Sequence, residues 1–594
     1  MSKHTQSEDT VLRIENLSID FQTTEGTVHA VKNIHCHIQA GECLGIVGES
    51  GSGKSQTFLA VMNLLAKNAS VSGSIHYKGA ELLSMGNRER SELSGDRLSM
   101  IFQDPLTSLT PHMKVGDQMR EVLTVHQNTD QAAAKTLCID WLDRVRIPEA
   151  KARINAYPHE LSGGMRQRVM IAMAMLCKPD LLIADEPSTA LDVTVQADIL
   201  DLMTEIREEL NTAIALITHD MGVVARMCQR IVVMQDGEFV EQGAVDELFY
   251  SPQQAYTKML LEAVPRLKTN SSTEHKPEPL PTSEPTTSEP IINAKSISAQ
   301  YKLPGTLLSR SKSIKAVNDV SLTVYKGETL GIVGESGSGK STLARCLIRL
   351  KKLSAGEVVW LGRDLHSLNA PELRKVRKDL QIVFQDPLAS LDPARPIGYS
   401  IGEPLSVHEP NLNKDEVRDR VNNMMERVGL DIGFYNRYPH ELSGGQNQRV
   451  GIARAMIMNP KLVICDEAVS ALDVSIQAQI IELLESLQSS MGVSIVFISH
   501  DLSVVSQLAD RVLVMHQGSV MELADSTTLF SHAQHPYTKQ LIAAVPIPDP
   551  KLEAQRQQDF RLRREQFELD IQKNSEPSQL NEVAPGHWVS DFSR

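Results

Sequence analysis

Two glycine-rich segments of the chain have the composition and spacing of loops that bind phosphate groups. GESGSGKS occurs at 48–55 and again at 334–341, and each copy follows a short apolar run and precedes a helix-forming segment. Strand, loop and helix in this order form the context in which such a loop binds a nucleotide. The glycines let backbone N–H groups turn towards the phosphates, and the helix N-terminus adds positive potential. One glycine-rich turn could bind nothing, but two in this context predict two nucleotide sites.

Each loop ends in a lysine and a serine with distinct expected roles. The lysine is expected to contact the outer phosphates, and the serine is expected to bind Mg²⁺. The predicted ATP-binding residues of the first loop are Gly48, Glu49, Ser50, Gly51, Ser52, Gly53, Lys54 and Ser55. Those of the second loop are Gly334, Glu335, Ser336, Gly337, Ser338, Gly339, Lys340 and Ser341.

A pair of acidic residues follows a continuous apolar run in each half, in LLIADEP and LVICDEA. Such a run predicts a central parallel strand, and ligands bind at the carboxyl ends of these strands. Asp185 and Asp466 are therefore expected to hold Mg²⁺ through water, and Glu186 and Glu467 to polarise the attacking water. Alone, an acidic pair is more often a solvated strand end. The phosphate loop upstream favours the functional interpretation.

Histidine and glutamine residues recur at matching positions after two further apolar runs. His219 and His500 end AIALITH and SIVFISH, and Gln103 and Gln385 lie in IFQDP and VFQDP. A lone histidine is more often structural, but one that follows a strand of a nucleotide-binding sheet predicts contact with the terminal phosphate. The glutamines are weak evidence singly, and their repetition strengthens it.

LSGGMRQR and LSGGQNQR each precede a helical pattern, which in the first copy places the apolar residues Val169, Ala172, Met173 and Leu176 on one face. Their serines are typical N-caps. Ser-Gly-Gly at a helix start is also a site where exposed N–H groups bind an anion. Because each half already has a phosphate loop, the second anion site suggests an interface that completes a neighbouring nucleotide site. The residues are Ser162, Gly163, Gly164, Ser443, Gly444 and Gly445.

These motifs recur in the same order at nearly constant spacing, which indicates duplication of a whole unit. A segment rich in Pro, Ser, Thr and Glu separates the copies and predicts a flexible linker. A charged stretch at 551–574 is expected to be helical and exposed. The predicted organisation is a first domain at 1–267, a linker at 268–290, a second domain at 291–550 and a tail at 551–594.

Composition disfavours several classes of function. The chain has 594 residues with 60 Lys and Arg against 74 Asp and Glu, a net charge of −14, and 4% aromatic residues, which disfavours nucleic-acid binding. Seven scattered cysteines without CxxC spacing are typical of reduced cytosolic thiols. The polar N-terminus resembles no signal peptide, and no apolar run approaches the roughly 20 residues of a membrane span.

Together the loops, the glutamines, LSGG, the acidic strands and the histidines resemble the ATPase subunits of ABC transporters across nearly the whole chain. The resemblance implies an α/β fold with two ABC-type nucleotide-binding domains. Each would have a mixed sheet core with a phosphate loop, a helical subdomain and a small C-terminal extension. It also implies a head-to-tail arrangement in which the LSGG residues of one domain complete the ATP site of the other.

The resemblance further assigns roles to single residues, with Mg²⁺ and ATP as cofactors. The implied catalytic residues are Glu186, Glu467, His219, His500, Gln103 and Gln385. The implied Mg²⁺ ligands are Ser55, Gln103, Asp185, Ser341, Gln385 and Asp466. Phe21 and Tyr301 lie where the family stacks an aromatic ring on adenine. Gln56, Ala468 and Asn447 differ from their counterparts Thr342, Pro187 and Arg166 in the other copy. None removes a catalytic group, so both sites are expected to hydrolyse ATP.

A second element follows each core, QQAYTKMLLEAVP and then QHPYTKQLIAAVP. It resembles the C-terminal element of oligopeptide, dipeptide and nickel importer ATPases, and no cysteine follows it, so no iron–sulfur cluster is expected. The two-copy form, DEAVSALDVS and PGHWV resemble the ATPases of glutathione importers. This implies an energy-coupling subunit at the cytoplasmic face of the inner membrane, with glutathione as cargo. Its implied partners are two permeases and an extracytoplasmic substrate-binding protein.

Two alternatives remain open from the sequence. Within importers, the cargo could be another oligopeptide, a dipeptide or nickel. In another class, the chain could be a soluble tandem ATPase that acts on ribosomes or nucleic acid. The Pro-rich linker, the absence of zinc-binding cysteines and the net negative charge argue against that class.

Overall fold

The computed structural model describes residues 9–24, 26–103, 108–188, 191–265, 267, 289–302, 313–470, 472–560 and 580–591. The chain forms two compact units. The first comprises Met1–Val264, Asp473–Ser475 and Pro546–Gln558, and the second comprises Pro265–Leu472, Ile476–Val545 and Asp559–Arg594. The predicted linker lies almost wholly outside the described residues, as does the part of the predicted tail at 561–579.

Two sheets form the framework of the first unit. Its strands are β1 (Thr10–Thr23), β2 (Gly26–Gln39), β3 (Cys43–Val47), β4 (Ala69–Tyr77), β5 (Ala80–Glu81), β6 (Leu98–Ile101), β7 (Leu181–Asp185), β8 (Ala213–Ile217), β9 (Arg230–Gln235) and β10 (Glu238–Ala244). An antiparallel sheet has the order β2-β1-β4-β5, and a second sheet has the order β10-β9-β3-β8-β7-β6. Strands β3, β7 and β8 are buried at every residue, as their apolar runs predict for parallel strands covered on both faces.

The helices of the first unit cover the second sheet and build a separate helical region. They are α1 (Lys54–Val61), α2 (Asn87–Leu93), α3 (Val115–Gln127), α4 (Gln131–Arg144), α5 (Ala150–Arg153), α6 (Gly163–Met175), α7 (Val193–Leu210), α8 (Met221–Met227), α9 (Val245–Tyr250) and α10 (Ala255–Ala263). A 3₁₀ turn, Pro158–Glu160, leads into α6. Helices α3 to α6 share one apolar core with the sheet, so the helical region is anchored to the strands that carry the acidic residues.

Helix α6 shows how the predicted apolar periodicity is used. Val169, Ala172 and Leu176 are buried and Met173 is half-buried, so the predicted face packs inward. Burial of each larger aliphatic side chain contributes about 1.5–3 kcal/mol. The helix that follows LSGG is therefore held in place by its own hydrophobic face.

The second unit repeats this plan and extends it. Its strands are β11 (Pro290–Lys302), β12 (Ser313–Tyr325), β13 (Thr329–Val333), β14 (Ala355–Trp360), β15 (Arg363–Asp364), β16 (Leu380–Val383), β17 (Leu462–Asp466), β18 (Ser494–Ile498), β19 (Arg511–His516), β20 (Ser519–Asp525), β21 (Leu580–Ala584) and β22 (His587–Ser590). The sheets have the orders β12-β11-β14-β15 and β16-β17-β18-β13-β19-β20-β22-β21. A C-terminal hairpin, β21–β22, thus adds two strands beyond β20.

The helices of the second unit follow the same order as those of the first. They are α11 (Lys340–Leu347), α12 (Ala370–Val376), α13 (Pro387–Ser390), α14 (Ile397–His408), α15 (Lys414–Arg427), α16 (Gly444–Met456), α17 (Val474–Met491), α18 (Leu502–Leu508), α19 (Ser526–His532) and α20 (Pro536–Ala544). The 3₁₀ turns are Ile432–Asn436 and Pro439–Glu441. These observations confirm the predicted α/β fold class. None of the helices in the described part of the chain is long and apolar enough to cross a membrane.

The charged stretch after the second domain is helical at 550–560, but it is not wholly exposed. Glu553 is 2% exposed, and its Oε1 lies 3.2 Å from Nη1 of Arg226 in the same unit. Phe560 is also buried. The prediction of an exposed helix was wrong for these residues, because the charged positions include a buried ion pair that composition alone does not reveal.

All seven cysteines are free and buried. Burial raises the pKa of the Cys36 and Cys465 thiols to about 12, and those of Cys138, Cys177 and Cys346 to about 11. A buried thiol of this kind behaves as a small apolar side chain.

Candidate functional site

The first phosphate loop joins buried strand β3 to helix α1, and the second joins β13 to α11. Gly48 has φ +155°, and a Cβ there would lie 2.1 Å from the carbonyl oxygen of Met234. Gly334 has φ +146°, and a Cβ there would lie 2.2 Å from that of Met515. Glycine is therefore required where each loop leaves its strand, for steric as well as conformational reasons.

The loop lysines are buried and held by loop carbonyl groups. Lys54 Nζ donates to the carbonyl oxygens of Gly48 and Glu49, both at 2.7 Å. Lys340 Nζ donates to those of Gly334 at 2.7 Å and Glu335 at 2.9 Å. Burial lowers the pKa of Lys54. Each ammonium group is thus fixed inside its loop, where a bound phosphate would be its stronger partner.

The loop serines contact the strand-end aspartates. Ser55 Oγ donates to Asp185 Oδ1 at 3.1 Å, and Ser341 Oγ donates to Asp466 Oδ1 at 2.7 Å. Burial raises the pKa of both carboxyl groups. Hydroxyl and carboxylate oxygens are ligands that suit Mg²⁺. Two of the three predicted magnesium ligands, the serine and the aspartate, therefore lie together in each unit.

In the first unit, Glu186 lies between the predicted glutamine and histidine. Gln103 Nε2 donates to Glu186 Oε2 at 2.8 Å, and His219 Nδ1 donates to Glu186 Oε1 at 3.0 Å. Burial lowers the pKa of His219, but the hydrogen bond and charge of Glu186 raise it, and the net shift is upward. These three predicted catalytic residues are therefore brought together by the ends of three different strands.

The second unit brings together the corresponding three residues. Gln385 Nε2 donates to Glu467 Oε2 at 2.7 Å, and His500 Nδ1 lies 3.7 Å from the same oxygen. The contact with His500 lowers the pKa of Glu467. The histidine contact is looser than in the first unit, and otherwise the arrangement is the same.

Both glutamates adopt the left-handed backbone conformation, with φ 46° at Glu186 and 51° at Glu467. Their N–H groups donate to the carbonyl oxygens of Ile217 at 2.9 Å and Ile498 at 3.0 Å. This conformation is uncommon outside glycine and is often maintained at functional sites. The neighbouring strand holds each glutamate in the conformation that aims its side chain at the glutamine.

The LSGG serines are N-caps, the structural role that their position predicts. Ser162 Oγ accepts from Met165 N–H, and Ser443 Oγ accepts from Gln446 N–H, both at 3.3 Å. A Cβ at Gly164 would lie 2.5 Å from Cγ1 of Val195, so the helix approaches α7 closely there. Completion of the opposite nucleotide site by these residues stays a prediction.

The departure at Asn447 preserves a hydrogen bond. Asn447 is buried, and its Nδ2 donates to the carbonyl oxygens of Pro439 at 2.9 Å and Leu442 at 3.2 Å. Its counterpart Arg166 donates through Nε to the carbonyl oxygen of Leu161 at 3.2 Å. Each side chain therefore supports the LSGG segment from the same backbone position, by a different group.

The two aromatic candidates for adenine stacking lie on the antiparallel sheets. Phe21 is in β1 and packs partly against the core of the first unit. Tyr301 is in β11 and 38% exposed, and its hydroxyl oxygen lies 3.5 Å from Oγ1 of Thr342 in α11. Lys351 Nζ lies 3.6 Å from the Tyr301 ring centroid. Stacking on adenine stays a prediction for both.

The sequence did not predict that Tyr256 and Tyr537 contact the phosphate loops. Glu49 N–H donates to the hydroxyl oxygen of Tyr256, and Glu335 N–H donates to that of Tyr537, both at 3.2 Å. The signal was present, since YTK recurs at the same offset as LSGG. It indicated only the type of importer, because spacing does not reveal which loop a distant tyrosine touches.

The chain belongs to the ABC transporter family. The family model described as ABC transporter matches residues 31–189 and 317–470, so both phosphate loops lie within it. A model of the oligopeptide/dipeptide transporter C-terminal region matches residues 240–290 and 521–567. These matches confirm the two predicted ABC domains and the ATP hydrolase activity coupled to transport.

Among curated proteins, the chain is similar to the glutathione import ATP-binding protein GsiA of Escherichia coli strain K12. The two are 45% identical over 98% of this chain and 96% of that protein. The protein of the same description from Shigella dysenteriae serotype 1 gives the same identity and coverage. A solved dimeric bacterial ABC transporter cassette is 31% identical with a TM-score of 0.36, over 40% of this chain and 98% of that chain.

Proposed function

We propose that the chain is the energy-coupling ATPase of a peptide importer and that glutathione is its cargo. The observation that carries the ATPase role is the repeated set of lysine, serine, aspartate, glutamate, glutamine and histidine in each unit. The cargo rests on the oligopeptide/dipeptide C-terminal region and on the names of full-length relatives. Its partners would be two membrane permeases and an extracytoplasmic substrate-binding protein, with the chain peripheral at the inner membrane.

In nucleotide binding, the loop backbone and its lysine carry the main electrostatic interactions. The N–H groups of residues 50–55 would surround the β- and γ-phosphates at the N-terminus of α1, and residues 336–341 would do so at α11. Lys54 and Lys340, which have three donors each, would bind phosphate oxygens while they keep the carbonyl oxygens of Gly48 and Gly334 as partners. Because the ammonium groups are already confined within the loops, little side-chain entropy is lost on binding.

Mg²⁺ would be held in each unit by the loop serine, the strand-end aspartate and the glutamine. Gln103 donates through Nε2 to Glu186, which leaves Oε1 as the amide atom suited to a metal ion. Ser55 and Asp185 supply the other oxygens, and Ser341, Asp466 and Gln385 are their counterparts. Bound there, the ion would neutralise charge on the phosphate oxygens.

For hydrolysis, Glu186 and Glu467 would orient and polarise the attacking water. Each carboxylate is fixed by a glutamine amide and a neighbouring histidine, so its geometry is preorganised before ATP arrives. His219 and His500, whose pKa values are raised by these glutamates, would place positive charge near the γ-phosphate as negative charge develops. Ser162, Gly163 and Gly164, with Ser443, Gly444 and Gly445, would close the opposite site by their exposed N–H groups.

The test is an uptake assay in cells that lack the gene. We expect loss of labelled glutathione uptake, with dipeptide uptake retained, and recovery on expression of the wild-type chain. Expression of the chain with both Glu186→Gln and Glu467→Gln should not restore uptake. Loss of dipeptide or nickel uptake instead would reassign the cargo within importers. Purification with ribosomes and without permeases would overturn the transporter role altogether.

A further inference from the structure

The C-terminal importer element reaches the nucleotide site of its own unit in both copies. Helix α10 begins at Ala255 and α20 at Pro536, and the second residue of each helix is a tyrosine. The hydroxyl oxygens of Tyr256 and Tyr537 accept the N–H of Glu49 and Glu335, the second residue of each phosphate loop. A contact repeated with equal length in two copies of differing sequence indicates a built feature of the unit.

The tyrosine and the loop lysine hold the same peptide group from its two ends. In the first unit, the peptide that joins Gly48 to Glu49 gives its carbonyl oxygen to Lys54 Nζ and its N–H to Tyr256. In the second unit, the peptide that follows Gly334 is held in the same way. Rotation of this peptide would break both hydrogen bonds, and it would withdraw a carbonyl group from the lysine.

The helix that carries each tyrosine is in turn anchored by a carboxylate on the adjoining strand. Glu241 in β10 accepts from the N–H groups of Gln253 at 2.8 Å and Gln254 at 3.1 Å, just before α10. Glu522 in β20 accepts from Gln534 at 2.8 Å and His535 at 3.0 Å, just before α20. The carboxylate thus anchors the start of the helix, and the helix places the tyrosine on the loop.

We propose that Tyr256 and Tyr537 are positioning residues of the ATPase reaction, which fix the first peptide of each phosphate loop for nucleotide binding. The element that distinguishes this type of importer therefore sets the ATP affinity of its own unit. The tyrosines act through the loop backbone and touch no reacting atom. This inference rests on the proposed nucleotide sites.

The test uses the full chain with Tyr256→Phe, Tyr537→Phe and both together. Phenylalanine keeps the ring and its packing, and it removes the hydroxyl group that accepts the loop N–H. We expect KM for MgATP to rise about fivefold in the double variant, the size of one lost neutral hydrogen bond, with kcat within about twofold of wild type. The midpoint of thermal unfolding should stay within about 2 °C.

Tyr250→Phe is the matched control. Tyr250 lies in α9, close in sequence to Tyr256, and its hydroxyl donates to Asp549 Oδ1 at 2.6 Å instead of binding a loop. It should leave KM and kcat unchanged. Hydrogen exchange of the Glu49 and Glu335 amides gives a second measurement, and it should be faster only in the variants that lose the acceptor.

The nucleotide sites and the role of the two tyrosines can be tested separately. Binding of a fluorescent ATP analogue should be lost when Lys54→Ala and Lys340→Ala are combined. If that double variant binds the analogue as wild type does, the proposed sites are wrong. If it loses binding while the tyrosine variants keep wild-type KM and amide exchange, the positioning role is overturned. A fall in thermal stability with unchanged KM would likewise assign the tyrosines to packing alone.

Discussion

The two units hold the same catalytic groups. They differ at the strand that carries the carboxylate anchoring α10 or α20, which is Glu241 in β10 and Glu522 in β20 and is called the anchor carboxylate below. In the first unit, β10 is the last strand of its sheet among the described residues, and none of its residues is buried. In the second, β20 is covered by the hairpin β21–β22, which pairs Glu522 with Val589 and Leu523 with Trp588. Covering an edge strand removes the unpaired backbone groups that could otherwise pair with another chain.

The covered strand changes the surroundings of the carboxylate. Glu522 is fully buried, and besides two backbone N–H groups it accepts from His587 Nε2 at 2.7 Å. Glu241 accepts the same two kinds of backbone bond without a histidine of this kind among its described partners. Burial alone would raise the pKa of Glu241, but these hydrogen bonds lower it by more, so the net shift is downward. Duplication has therefore conserved the nucleotide site and varied the protection of the element beside it.

Replacement of the two glutamates at the nucleotide sites should have the greatest effect, and it tests whether the two sites are equivalent. Glu186→Gln and Glu467→Gln should each lower ATP turnover at their own site by at least about 10²-fold, because the carboxylate that polarises water is lost. ATP binding should be retained, since the loop and its lysine are untouched. Because steady-state hydrolysis by the full chain sums both sites, the double variant measures the size of the loss and each single variant measures the share of its own site; equilibrium binding measures the retained affinity.

Unequal results would show that the two nucleotide sites are not equivalent. Normal turnover in one variant would show that its site is not catalytic, despite the shared geometry. Asp117→Asn, which alters a half-exposed carboxylate in α3 paired with Arg120, is the control and should leave turnover unchanged.

A smaller effect concerns the anchor carboxylates. Glu522→Ala should destabilise the second unit by about 3 kcal/mol, because buried N–H groups and His587 lose their acceptor. Glu241→Ala should destabilise the first unit by about 1 kcal/mol, because water can replace the carboxylate there. Hydrogen exchange of peptides from each unit, read by mass spectrometry, separates the two. Equal losses would mean that the hairpin contributes nothing to the anchor.

The smallest effect is a difference in acid sensitivity. Tyr77 and Lys78 donate to Asp180 in the first unit, and the second unit has Trp360 and Lys461 where Tyr77 and Asp180 stand. Burial alone would raise the pKa of Asp180, but these partners lower it by more, so its pKa in the folded chain is below the unfolded value. The contacts of Asp180 therefore stabilise the first unit at pH values above the pKa of Asp180 in the unfolded chain. This stabilisation is lost as the pH falls through the pKa of Asp180 in the folded chain.

We expect Asp180→Asn to destabilise the first unit by under about 1 kcal/mol near pH 7 and to have no effect well below pH 4. Unfolding of the first unit by urea, followed at both pH values, measures the difference. Asp379→Asn in the second unit, where Lys461 Nζ lies 3.7 Å from the carboxylate, should cause a smaller loss of stability. A loss that stays constant with pH would show that Asp180 acts only through packing.

Local sequence was sufficient for the residues that a strand, loop and helix bring together. Lys54 and Ser55 follow directly from the loop, and Asp185 and Glu186 follow from the end of a buried strand. The contact between Ser55 and Asp185 could be predicted because both elements belong to one parallel sheet. Such contacts depend on topology that the motif itself specifies.

Contacts made by the peripheral elements could not be predicted in this way. The tyrosine of α10 touches a loop roughly two hundred residues earlier, and the hairpin pairs with β20, from which α19 and α20 separate it in sequence. Both depend on how separate elements pack, and no local pattern specifies it. The burial of Glu553 was missed for the same reason, because its partner Arg226 is distant in sequence.

The burial of every cysteine has a chemical consequence for a protein proposed to serve glutathione import. Thiol–disulfide exchange requires an accessible thiolate, and all seven thiols are buried; burial also raises the pKa of the Cys36 and Cys465 thiols to about 12. Glutathione disulfide should therefore leave the folded chain without a mixed disulfide, even where glutathione is concentrated. We expect the buried native thiols to react little with maleimide reagents, so a single cysteine introduced on the surface would carry a spectroscopic label without removal of the other seven.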